Sequence, residues 1–111
     1  MASKKTKKKT QVRGEDAIAY FDRTSGPLTL GRMLRAIRLG EEESIETFAR
    51  KLGVSKSHLS DVERGKRAVS AERAAKWAKL LGYHEGQLVA LAIQAELDAA
   101  GIKLRVKLEA A

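Results

Sequence analysis

Residues 44–65, SIETFARKLGVSKSHLSDVERG, constrain the fold of this chain more than any other stretch. Ile45, Phe48, Ala49 and Leu52 recur at helical spacing and so share one face of a first helix. Gly53 follows at once, where a residue free to adopt positive φ lets the chain turn sharply. Val54 plugs the corner, and Ser55 stands where an N-cap hydroxyl satisfies the open amides of a second helix. In that second helix Leu59 and Val62 point inward. Two short helices meeting at a tight corner over one apolar interior are the expected result.

The inward pair leaves Lys56, Ser57, His58, Ser60 and Asp61 on the other faces of the second helix. Short polar side chains at the start of such a helix suit contact with base edges in the major groove of double-stranded DNA. His58 on this reading either touches a base or phosphate or faces solvent. The serines carry no catalytic expectation, because no Ser–His–acid set or glycine-rich elbow surrounds them. His84 directly precedes Glu85, but no third or fourth ligand lies at suitable spacing. A helix start is the better account of His84, and neither a metal nor a cofactor is expected.

A chain of 111 residues suits one domain with tails and a single modest core. The formal net charge of +8 is unevenly placed. Lys4, Lys5, Lys7, Lys8, Lys9 and Arg13 supply six positive charges before the first acid, Glu15, which leaves about +2 for the remainder. Such a basic arm, over residues 1–13, lacks apolar periodicity and is expected to be disordered. It serves as a solvated tail, as a contact to phosphates or a groove, or as a contact to a protein partner. There are no cysteines, hence no disulfide framework, and an intracellular, cytoplasmic location is expected. No apolar run suits a secretory signal or a membrane span. Aromatic residues make up only 5%, which disfavours single-strand binding by base stacking.

Residues 14–28 read as an extension, with Ala17, Ile18, Tyr20 and Phe21 suited to a short helix before Ser25-Gly26-Pro27 breaks the chain. From Thr29 a helix is expected, with Leu30, Met33, Leu34 and Ile37 on one stripe. After the two central helices comes a basic loop, Gly65-Lys66-Arg67. Ser70 then caps a helix through Leu81 with Ala74, Ala75, Trp77 and Ala78 inward, and Gly82 stops it. A helix over 85–99 carries Leu88, Val89, Leu91, Ala92, Ile93, Ala95 and Leu97 around more than one face, so it is buried or covered by another chain. Finally Ile102, Leu104, Val106 and Leu108 alternate with charged residues, the period of a half-buried β-strand.

The stretch from Leu30 to Leu81 resembles the Xre family, the phage-repressor-like helix-turn-helix domain of five short helices. The resemblance rests on Leu34, Ile37 and Arg38, on Phe48-Ala49 and Leu52-Gly53-Val54-Ser55, and on Leu59, Val62-Glu63, Gly65-Lys66 and Leu80-Leu81-Gly82. It implies an all-α domain over 29–82, with the helix-turn-helix at 44–64, that binds an operator and represses transcription. It also implies a buried ion pair between Arg38 and Glu63. Base contacts carry over onto Lys56, Ser57 and Asp61. Contacts to the DNA backbone carry over onto Ser44 and Ser55 and onto the loop holding Arg64, Lys66 and Arg67. The chain departs from the family at Ile45, where a phosphate-touching glutamine is usual, and at Glu43, where an apolar residue is common.

With its basic arm ahead and alternating segment behind, the whole arrangement resembles the Xre-type antitoxins of bacterial toxin–antitoxin operons. That resemblance implies a dimer that neutralises a toxin protein and represses its own promoter. A phage- or plasmid-type repressor with no toxin is the alternative within the regulator class. An interaction adaptor that keeps the fold without reading DNA is the alternative outside it. The segment 83–111 is expected to join a homodimer through Leu88, Leu91 and Ile93 and through antiparallel pairing of a strand bearing Ile102, Leu104, Val106 and Leu108, since a lone strand has no partner within its own chain. A frayed tail is the other account of that strand.

Overall fold

Hydroxyl caps decide where the helices begin. The computed structural model of the chain describes residues 27–109. Among these it forms α1 (Leu30–Gly40), α2 (Ile45–Leu52), α3 (Lys56–Glu63), α4 (Ala71–Leu81) and α5 (Glu85–Ala99). Thr29, Ser44, Ser55 and Ser70 accept from the backbone N–H groups of Arg32, Thr47, His58 and Arg73 at 3.2, 3.1, 3.0 and 3.1 Å. Each such bond satisfies an amide the helix itself cannot, worth about 0.5–2 kcal/mol. At α5 the capping atom is Nδ1 of His84, which accepts from Gly86 N at 3.1 Å. The basic arm over 1–13 and the short helix expected before Ser25 lie outside the described residues.

The corner after α2 forms as its sequence requires. Gly53 takes φ of 76°, and Val54 N–H reaches back to Ala49 O at 3.0 Å. Ser55 caps the next helix two residues later, so only Gly53 and Val54 lie between the end of α2 and the cap of α3.

Each helix sends one large side chain to a common centre. Leu34, Phe48, Leu59, Trp77 and Leu88, one from each of α1 to α5, are fully buried or within 2% of it. Burial contributes roughly 1.5–3 kcal/mol for each such residue. The Trp77 indole also donates from Nε1 to Leu52 O at 3.2 Å, which satisfies the only polar group on the ring and locks α4 to the end of α2.

The C-terminal part differs from its expectation in two ways. Leu88 and Leu91, expected between copies, are 0% and 9% exposed because they pack into the chain's own core. The second correction concerns residues 102–109: no strand forms there among the described residues. Alternation selects an extended backbone, but a ladder needs a neighbouring strand, and the other described residues supply none. Instead the segment turns back along α5. Gln94 Nε2 donates to Leu104 O at 2.9 Å, and Val106 N donates to Gln94 Oε1 at 2.7 Å. A single side-chain amide thus engages two backbone groups that a strand would otherwise pair. The Leu108 side chain lies against Gly86 at the other end of α5. Ile102, Leu104 and Leu108 remain 44%, 63% and 50% exposed.

Candidate nucleic-acid interface

The outward face of α3 is defined by what holds its inward face. Leu59, Val62 and Glu63 are buried. Glu63 receives Arg38 of α1 in a two-pronged pair, Nε to Oε2 at 2.9 Å and Nη2 to Oε1 at 3.0 Å. The side chains are only 13% and 4% exposed, and Arg38 Nη1 also reaches Glu43 O at 3.2 Å. The hydrogen bonds to Glu63 push the Arg38 guanidinium further above its ordinary range, against the opposing effect of burial. Fork-to-carboxylate geometry fixes orientation as well as distance, so one pair sets how α3 lies on α1.

Gly31 sets how close α3 lies. A Cβ built on Gly31 would overlap Val62 O and come within 2.9 Å of Glu63 O. Both obstacles are backbone atoms at the end of α3, and neither can rotate away. Gly31 was not singled out by the sequence reading, although a glycine inside a helical stripe costs about 0.5–1 kcal/mol relative to alanine and commonly marks a close approach.

On the opposite side, Lys56 and Ser57 are exposed and Ser60 and Asp61 half-buried. These four share the side of α3 away from Leu59 and Val62, as their helical spacing requires. Asp61 Oδ1 accepts from Arg64 Nη2 at 3.3 Å, so the one acid on this face is held beside a cation. Lys56 Nζ lies 3.8 Å from a Glu46 carboxylate oxygen, with both side chains more than half exposed. An open pair of that kind is worth little and can exchange for a phosphate or a base edge.

Ser44 and Ser55 stand exposed at the starts of α2 and α3, and Arg64, Lys66 and Arg67 are exposed around the loop after α3. His58 departs from this grouping. It turns sideways towards α4, where its Nε2 lies 3.4 Å from Arg73 Nη1. Burial, with Arg67 and Arg73 nearby, holds its imidazole below its ordinary range, and Asp61 opposes them. Arg73 was not anticipated, because its meeting with His58 depends on how α4 crosses α3. Among the described residues no cluster of His, Asp and Glu side chains could hold a metal ion. No helix there is long and apolar enough to cross a membrane.

Two capped helices at a glycine corner, the second presenting a polar face, define a helix-turn-helix domain. Residues 34–88 match the helix-turn-helix family model, which supports a helix-turn-helix domain in this part of the chain. No curated protein and no solved structure matches the chain.

Proposed function

We propose that the chain is an Xre-type transcriptional repressor that reads double-stranded DNA with α3 in the major groove. The observation that carries this reading is the division of α3. Its inner face is fixed by Arg38 and Gly31, and its outer face offers Lys56, Ser57, Ser60 and Asp61 beside a basic loop. Lysine donates to guanine, serine serves either base type, and a carboxylate accepts from cytosine N4. Ser44, Ser55, Lys66 and Arg67 flank this face and would hold the phosphates that set its register.

Replacing Lys56 or Ser57 by alanine is expected to weaken binding to a selected site by about 1–3 kcal/mol per lost base contact. Binding to mixed-sequence duplex should fall by less. Competition assays with a site selected from a random library check this. Equal losses on both DNAs would mean that another face does the reading.

The C-terminal segment supports a homodimer. Ile93, Ile102, Leu104 and Leu108 are at least one-third exposed along α5 and the segment that runs back beside it. Apolar groups gathered in this way are what a second copy would cover. A two-fold dimer places two α3 helices at half-sites about one helical turn apart, roughly 34 Å. The same apolar surface supports the narrower reading of an antitoxin, since it belongs to α5 and the C-terminal segment and not to α3. Truncation after Gly101 tests both readings. Light scattering should show a monomer or a weakened dimer, operator affinity should drop, and the product of the adjacent gene should no longer co-purify. A monomeric full chain defeats the dimer. Failure of the full chain to bind that product leaves a repressor without a toxin.

A further inference from the structure

A second basic feature lies beside the reading face and is not part of it. His58 on α3, Arg67 in the loop, and Ser70, Arg73 and Lys76 at the start of α4 line an open cleft of about 410 Å³. Three of these five are permanent cations at neutral pH. The carboxylates near the cleft are Glu72 in its wall and Asp61, which is paired with Arg64. Arg73 is held from two sides. Its guanidinium carbon lies 5.9 Å from the Trp77 ring centroid, and its Nη1 lies 3.4 Å from His58 Nε2. Those contacts restrain a planar donor fork in the wall of the cleft, a group suited to a phosphate.

We propose that this cleft seats one phosphate of the duplex backbone, with Arg73, Arg67 and His58 as its ligands. The inference rests on the DNA-binding reading and adds a contact from α4, outside the helix-turn-helix itself. It also adds a proton. In the free chain burial and the two arginines hold His58 below its ordinary value of 6.5, so near neutral pH the ring is uncharged. A phosphate between the arginines cancels their effect and favours imidazolium. The bound state then carries more protons than the free state, so affinity rises as pH falls through the window between the two His58 pKa values. Above that window affinity is flat.

The test is a titration of the full chain with mixed-sequence duplex at low, fixed ionic strength. Between about pH 8 and about pH 6, wild-type affinity should strengthen by up to tenfold per unit, and His58→Gln should lose that dependence. Arg73→Gln should reduce the slope of log affinity against log salt by about 0.9, the value for one phosphate contact. NMR of the His58 ring should show its pKa rising with duplex by more than with inorganic phosphate at matched ionic strength. An equal rise with both, or no rise, overturns the duplex assignment, as does an identical pH dependence in wild type and His58→Gln. Affinity independent of pH defeats this inference alone. A chain that binds no duplex at any pH defeats the DNA-binding reading as well.

Discussion

Glu63→Ala is expected to lower the unfolding free energy by about 3–5 kcal/mol, the cost of leaving one buried charge without its partner. The stranded group would be the Arg38 guanidinium, 13% exposed and built into the junction of α1, the following turn and α3. For a domain of this size that is a large share of the total, since natural domains hold only about 5–15 kcal/mol. Urea denaturation of both proteins reads the difference directly. The double replacement Arg38→Met with Glu63→Leu removes both charges and should recover most of the loss, because two apolar side chains of similar volume leave nothing unpaired. A single variant that loses less than about 1 kcal/mol would show that water reaches the pair.

Gly31→Ala should be the other severe change, although alanine is the better helix former. Its propensity gain is about 0.5–1 kcal/mol. Against this stands a methyl group driven into Val62 O and to 2.9 Å from Glu63 O, two backbone atoms that yield only if α3 moves as a whole. Overpacking of this kind costs about 1–3 kcal/mol or more, so the clash wins. A lower Tm should accompany weaker DNA binding by the fraction that stays folded, because the displaced element is the helix proposed to read DNA. Gly40→Ala is the internal comparison: nothing lies within 4 Å of a Cβ there, and that variant should be neutral or slightly stabilised. Equal behaviour of the two variants would mean that the α1–α3 crossing is soft.

The elements whose cause is local were legible in the sequence. Gly53 and Ser55 encode the corner within three residues, and the apolar stripe on α1 announces Leu34 as core. Trp77 could be placed in the core from its alanine-rich face. Features that depend on a crossing were not legible. Gly31 matters only because α3 ends over it, and Arg73 matters to His58 only because α4 passes alongside. The C-terminal segment shows the limit most clearly. A period of two reports an extended backbone but does not say what pairs with it, and here a glutamine side chain on α5 takes that place. The breadth of apolar residues on α5 likewise signalled heavy burial without saying which residues face the chain's own core. Leu88, Leu91 and Ala92 turn inward, and Ile93 does not.

Within the eight residues of α3, anchoring and display fall to different side chains. Leu59, Val62 and Glu63 mount the helix, while Lys56, Ser57, Ser60 and Asp61 take no part in the buried set. Substitutions at positions outside the core usually change stability by no more than about 0.5 kcal/mol. On the proposed reading of α3, a lineage carrying this fold can therefore move to a new DNA site one replacement at a time without approaching the threshold at which it unfolds. One restriction remains. Asp61 restrains Arg64, so a cation at position 61 would release that arginine and set two like charges side by side. Retargeting that passes through position 61 has to carry position 64 with it.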